Sequence, residues 1–305
     1  MISTTSNTTV RKFRLAEVSD LYIRIILTNQ CNNSCAYCFK ETGQGRDIGL
    51  FGMAFFQELV KIAEKRQITK IHFTGGEPLL ENRIADYIGK VAESSVIELG
   101  LTTNGIILHA HAERLRNAGL RRINISLPSL RASRYRAVCG NDTLERVLTN
   151  IDLALDIGFS PVKINVPLYT ENLDEIHEFM EYFLRKERVI LRFFSILPND
   201  GVPETSHLST EQTTAYLGEA INRLPLDLQE EATSRVYFRP PFKPSLSICR
   251  TCTKKNNCQD QAKALRISRD GNIRLCLDNP KYVTRVRRIA DLDRGISNLL
   301  KLYYG

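Results

Sequence analysis

The chain has 305 residues, enough for one large α/β domain with an extension or for two domains. Its 43% apolar and 25% charged residues are ordinary for a soluble globular protein, and no run of about 20 apolar residues offers a transmembrane helix. The net charge of +8 raises nucleic acid as a partner, but the basic residues are spread out and cluster densely only near Arg185 and Arg287, so solvated faces are expected and nucleic acid is not.

In chain order, the first residues are polar and Ser/Thr-rich, without the apolar core of a secretory signal. Residues 1–15 are expected to be a flexible tail, and the compartment a reducing cytoplasm. A first strand is expected over 21–28. Cys31, Cys35 and Cys38 follow it with C-x3-C-x2-C spacing. Three thiolates on one loop suit a soft metal centre. Iron–sulfur clusters usually take four cysteines, so three leave one iron of a 4Fe-4S cube open to another molecule. Structural zinc is the alternative, but it normally closes its shell with a nearby fourth Cys or His, and none lies close in sequence.

A helix is expected over 55–64 and a second strand over 70–74. That strand runs into Thr74-Gly75-Gly76-Glu77-Pro78, where glycines permit close backbone approach to a ligand and Glu77 offers an acceptor for an ammonium group. A third strand, 96–102, ends in Thr102-Thr103-Asn104-Gly105, and a fourth, 122–126, ends in Ser126. Parallel α/β folds bind ligands at these strand ends. Leu144, Val147, Leu148, Ile151 and Leu155 mark one helix face, with Asp142 and Glu145 at capping-box spacing and Gly158 as the stop. Strands over 162–167 and 189–194 complete six βα units, which imply a parallel sheet with right-handed crossovers.

The alternation inside these strands is telling, because parallel strands buried on both faces read as continuous apolar runs. Here Ile23 and Ile25 oppose Tyr22, Arg24 and Thr28. Ile71 and Phe73 oppose Lys70 and His72. Ile123 and Ile125 oppose Arg122, Asn124 and Ser126. Val162, Ile164 and Val166 oppose Lys163 and Asn165, and Arg192 interrupts the sixth strand. One face therefore packs on helices, and the other lines a polar lumen, since burying so many cations in a dry core would be prohibitive. Lys70 and Arg122 could instead sit at strand ends in solvent. With no acid noted on these strands, the lumen should favour an anionic substrate, with phosphate the natural guess.

The barrel is expected over 16–200 and a C-terminal extension over 201–305. In the extension, Cys249, Cys252, Cys258 and Cys276 could bind zinc or a second 4Fe-4S cluster, and 266–276 reads as a hairpin with an Asp270-Gly271 turn. Cys139 stands apart and reads as a small buried apolar residue. Eight cysteines in a large chain without a signal fit metal binding better than disulfides.

The cysteine run, with Tyr37 before its last member, resembles the signature of radical S-adenosylmethionine (SAM) enzymes, and Gly75-Gly76-Glu77-Pro78 resembles that family's motif for the methionine amino group. The resemblance implies a fold of α/β class, a partial (β/α)6 barrel of the radical SAM type with a C-terminal auxiliary Fe-S cluster extension. It implies SAM bound to the open iron and split to a 5′-deoxyadenosyl radical. It places Tyr37, Gly75, Gly76, Glu77, Thr103, Asn104, Ser126 and Leu197 around the cofactor. The runs at 121–130, 158–165 and 191–193 narrow the resemblance to the GTP 3′,8-cyclase family of molybdenum-cofactor biosynthesis, over roughly Arg11 to Leu277. That family's basic substrate residues map onto Arg24, Lys163 and Arg192, with Thr102 beside them and Lys70 also matching. His72 stands where the family has Arg, Pro128 replaces an aspartate, the tail holds four cysteines rather than three, and the chain ends Tyr303-Tyr304-Gly305 instead of Gly-Gly. A fully ligated second cluster could not coordinate a purine. The expected enzyme therefore uses SAM and two 4Fe-4S clusters to abstract hydrogen from a small anionic molecule, with flavodoxin or ferredoxin as electron donor and no membrane partner. The alternatives are the GTP 3′,8-cyclase itself, a peptide-modifying maturase, and a zinc or Fe–S protein on an inactive barrel.

Overall fold

The computed structural model describes residues 21–38, 46–196, 206, 208–239, 264–275 and 280–304. Six strands pair in chain order, all parallel: β1 (Tyr22–Ile26), β2 (Lys70–Thr74), β3 (Glu98–Thr103), β4 (Arg122–Ser126), β5 (Val162–Leu168) and β6 (Val189–Ser195). Between them run α1 (Met53–Lys65), α2 (Ile84–Ala92), α3 (Ala112–Asn117), α4 (Ala132–Cys139), α5 (Leu144–Asp156) and α6 (Ile176–Leu184). The expected α/β architecture is present. Val96, assigned to a strand from its sequence, precedes β3 and is exposed.

Among the described residues the sheet stays open and has ten strands. Beyond β6 it adds β7 (Val236–Arg239), after helices α7 (Thr210–Asn222) and α8 (Leu226–Arg235). Beyond β1 it adds β8 (Ala264–Ser268), parallel to β1, then β9 (Asn272–Arg274) and β10 (Val283–Arg285), both antiparallel. The extension's strands are thus continuous with the barrel sheet. The Asp270-Gly271 turn joins β8 to β9 as expected. Gly271 takes φ +81°, and a Cβ there would stand 2.0 Å from the Val286 carbonyl.

One face of the sheet carries Ile23, Ile25, Ile71, Phe73, Ile123, Ile125, Ile164 and Phe193, none with exposed surface. Helix α1 lays Phe55, Phe56 and Leu59 on it, and Phe56 stacks on Tyr87 of α2 at 4.5 Å between ring centroids. Burying such a side chain stabilises by roughly 1.5–3 kcal/mol, which makes this face the core.

Helix α5 stops at Gly158, with φ +92°, as its sequence indicated. Its start differs from the capping box read there. Asp142 pairs with Arg136, and no side chain caps the helix. An exposed guanidinium nearby outcompetes the backbone for that carboxylate. A reciprocal box does form at α7, between Ser209 and Gln212.

The C-terminal helix Leu292–Tyr304 folds back onto α1. Arg66 Nε donates to Asp293 at 3.0 Å, and Tyr303 is buried against Tyr282. Among the described residues, no helix is long and apolar enough to cross a membrane.

Candidate active site

After β1 the chain carries Cys31, Cys35 and Cys38 along the carboxyl edge of the sheet, and both flanks of this loop are pinned. On one flank Leu27 N donates to Thr74 O at 2.8 Å, Gly76 N to Thr28 O at 2.7 Å and Glu77 N to Gln30 O at 2.7 Å. A Cβ on Gly76 would stand 2.1 Å from the Gln30 carbonyl oxygen, and one on Gly75 2.6 Å from that of Thr28. The two glycines therefore serve the approach of the Gly-Gly-Glu-Pro turn to the strand that delivers the cysteines. On the other flank Ser34 N donates to Cys139 O at 3.1 Å and Ala36 N to Val138 O at 3.0 Å. Gly140, at φ +76°, leaves room for Ser34.

Cys31 and Cys38 are exposed, and Cys35 is half-buried. Buried Cys139 is more than apolar filling. Its sulfur lies 3.9 Å from that of Cys35, and this contact, with hydrogen bonds from Tyr37 and Asn33, holds the Cys35 thiol below its usual pKa against the opposing effect of burial. Burial raises the Cys31 thiol. Asn104, from the Thr-Thr-Asn-Gly run after β3, reaches the same loop. Its Nδ2 donates to Asn32 Oδ1 at 2.7 Å and stands 3.9 Å from the Cys31 sulfur.

Glu77 has no exposed surface. Its carboxylate accepts from Thr103 Oγ1 at 2.6 Å, Asn104 N at 2.7 Å and Leu79 N at 3.0 Å. It ties two turns together rather than standing open as an acceptor for a ligand. Burial outweighs its three donors and raises its pKa to about 6.

The polar face of the sheet is a row of cations and amides. Register places Arg24 beside His72, Thr102 beside Asn124, Asn124 beside Lys163, and Asn165 beside Arg192. The His72 ring, 7% exposed, meets Thr102 Oγ1 at 2.7 Å through Nε2, and Asn124 Nδ2 donates to the same hydroxyl at 3.3 Å. Burial, with Arg24, Lys70, Arg192 and Lys163 around it, keeps His72 well below its usual pKa, and burial lowers Lys163 as well. Ser126 closes β4 opposite Asn165.

Lys70 and Arg122 lie at the amino ends of their strands, about half exposed. Both reach Glu98, at 3.9 Å and 2.6 Å respectively. Glu98 is an acid the charge reading of the strands left out. It neutralises part of the lumen's outer rim, so Lys70 stands farther from the ligand edge than its alternation suggested.

Arg266 was missed as a lumen residue. It lies on β8 in register with Arg24, 4% exposed, with Arg274 of β9 opposite. The Arg274 Nε and Asn165 Oδ1 atoms are buried with no partner among the described residues. The alternation Leu265, Arg266, Ile267 carried the same signal as β1, but only strand order shows that β8 extends the lumen. Pro128, where an aspartate was expected by resemblance, accepts a hydrogen bond from Asn172 through its carbonyl at 3.0 Å. Leu197, Cys249, Cys252, Cys258 and Cys276 lie outside the described residues, as does Gly305.

A family model described as the Radical SAM superfamily matches residues 25–183, the stretch that holds the end of β1, the cysteine loop and strands β2 to β5. The chain belongs to the radical SAM superfamily. It is 31% identical, over 86% of its length and 83% of the relative's, to a GTP 3′,8-cyclase of Thermodesulfovibrio yellowstonii. It is 28% identical to a GTP 3′,8-cyclase of Alkaliphilus metalliredigens, over 87% of this chain and 83% of that one. Among solved structures it resembles native anSMEcpe with bound AdoMet, with a TM-score of 0.65 and 18% identity over 92% of this chain and 80% of that one. It also resembles Streptococcus suis SuiB bound to S-adenosylmethionine, with a TM-score of 0.63 and 15% identity over 86% and 60%. At these identities the structures speak for the fold. Radical SAM enzymes use a 4Fe-4S cluster and SAM, and this chain is an enzyme of that type.

The donor set fits such a cluster. Three thiols share one loop, and sulfur and amide donors surround Cys35. Among the described residues no three His, Cys, Asp or Glu side chains converge at metal-binding distance.

Proposed function

We propose that this radical SAM enzyme abstracts hydrogen from a small phosphorylated molecule anchored on the cation row. The supporting observation is the end of β3. Three successive residues there meet three different parts of the site. Thr102 meets His72 of the cation row, Thr103 meets Glu77, and Asn104 meets the cysteine loop. Thr102, beside the cation row of Arg24, Lys163 and Arg192, thus stands two residues before Asn104, which meets the loop of the proposed cluster ligands Cys31, Cys35 and Cys38. When bound, the cluster supplies an electron and an open iron to SAM, whose cleavage gives the hydrogen-abstracting radical. Gly75, Gly76, Asn104 and Ser126 present backbone and side-chain groups along that edge. Cys249, Cys252, Cys258 and Cys276 are assigned to a second cluster, and a small redox protein to electron supply.

A second reading, GTP 3′,8-cyclase, is favoured by the curated relatives. Four tail cysteines, and His72 where the cyclase family has Arg, favour a different phosphorylated substrate. One anaerobic experiment separates them: iron and sulfide analysis, then SAM, dithionite and GTP. The expected outcome is two clusters per chain and 5′-deoxyadenosine formed without a cyclised nucleotide. Cyclised product would establish the second reading. Undiminished 5′-deoxyadenosine from a protein with Cys31, Cys35 and Cys38 all replaced by Ala would sink both.

A further inference from the structure

His72 is a titratable group inside an array of fixed cations. Its ring lies beside Gly100 of β3: a Cβ there would stand 2.4 Å from Nδ1. The charged groups acting on it most strongly are Arg24 on β1, Lys70 on its own strand, Arg192 on β6 and Lys163 on β5. On β8, Arg266 stands next to Arg24 in the register. The carboxylate on β3, Glu98, is engaged by Arg122 of β4 and Lys70. In this surrounding the ring is neutral, because a further positive charge would be repelled and poorly solvated.

The Thr102 hydroxyl accepts from Asn124 Nδ2 and meets His72 Nε2, which accepts from it when the neutral ring carries its proton on Nδ1 and donates to it when the proton is on Nε2. In the Nδ1-protonated tautomer the hydroxyl donates to Nε2, and adding a proton at Nε2 reverses that bond. The hydroxyl then accepts from both Asn124 and His72, and its own proton turns outward as a donor.

We propose that His72 is a conditional cation: entry of a multiply charged anion into the lumen draws one proton from solvent onto Nε2, and the Thr102 hydroxyl, released as a donor, hydrogen-bonds the anion. The inference rests on the anionic-substrate reading. The anion cancels the repulsion from the neighbouring cations, so the imidazolium becomes favourable only while the anion is present. Such a device grades binding by ligand charge, since a monoanion relieves less of the repulsion and recruits less of the proton. Affinity for a polyanion then falls as pH rises, by up to about tenfold per unit for one linked proton.

The test is isothermal titration calorimetry of the anaerobically reconstituted full chain with inorganic pyrophosphate, in buffers of different ionisation enthalpy. The slope of heat against ionisation enthalpy counts protons. Pyrophosphate's own protons cancel in the difference between wild type and His72→Gln. The expected result is up to one more proton taken up by the wild type, and a steeper loss of its affinity with pH. Thr102→Val, which keeps His72, should bind more weakly than wild type. Equal proton counts in wild type and His72→Gln would overturn the inference while leaving the anion site intact. No pyrophosphate binding by the wild type would overturn the anionic-substrate reading and the inference with it.

Discussion

The carboxylate of Glu77 holds the two ligand-edge turns together from a fully buried position. Its pKa of about 6, raised from an ordinary 4.5, has a definite consequence for stability. The folded state binds this proton more tightly than the unfolded state does. The group's contribution is therefore fully present below pH 4.5 and lost as pH rises through about 6, roughly 2 kcal/mol in all. Glu77→Gln, which cannot ionise, should gain on the wild type by that amount between pH 4.5 and 7 in denaturant unfolding. A difference of the opposite slope, with the wild type gaining on the variant as pH rises, would show that the three donors, not burial, decide the ionisation. Glu77→Ala should lose roughly 2–4 kcal/mol below pH 4.5, and less as pH rises through about 6, because three buried donors lose their acceptor.

At the scale of elements, the close approach of β2's end to β1's end positions the cysteines. Gly76→Ala would drive its Cβ into the Gln30 carbonyl, 2.1 Å away, and backbone cannot yield there as a flexible side chain could. The expected outcome is a displaced loop that takes up less iron on reconstitution. Gly218, on α7, has nothing within 4 Å of its Cβ position. Gly218→Ala should keep full iron content and gain roughly 0.5–1 kcal/mol, the ordinary helix preference for Ala over Gly. Equal iron content in the two variants would place the cysteine loop's support elsewhere, on the Val138–Cys139 flank. A strand-end glycine and a helical glycine look alike in composition, and only their neighbours separate them.

At the scale of the molecule, the sheet gathers like charges from β1, β2, β5, β6 and β8 onto one face, so the fold stores electrostatic repulsion that a bound anion would relieve. Pyrophosphate at about 100 times its Kd should stabilise the chain by about 2.7 kcal/mol, read as a rise in Tm. Arg192→Ala should weaken that binding by roughly ten- to hundred-fold, the equivalent of a lost charge-assisted hydrogen bond of about 1.5–3 kcal/mol. Sodium chloride at matched ionic strength is the control. A Tm rise of the same size with that salt would mean general screening rather than a site.

Much of this was legible in the residues themselves. Alternation in β1, β2, β4 and β5 revealed one apolar and one cationic face, because side-chain direction in a strand is a local property. The C-x3-C-x2-C spacing put three thiols on one loop, and Gly158 marked the end of α5, for the same reason. What distant segments settle was not legible. Asp142 had capping-box spacing but went to Arg136. Glu77 looked like an open acceptor but is closed by Thr103 and Asn104, which lie far along the chain. Glu98 drew Lys70 and Arg122 to the amino ends of their strands. Arg266 joined the lumen only because β8 pairs with β1 rather than with a strand near it in sequence. The sequence by itself determined which faces are apolar, that three thiols share the loop after β1 and that the fold alternates strand and helix. Tertiary structure alone decided which charges face one another and which are neutralised, because Coulomb and hydrogen-bond energies depend on distances that chain order does not contain.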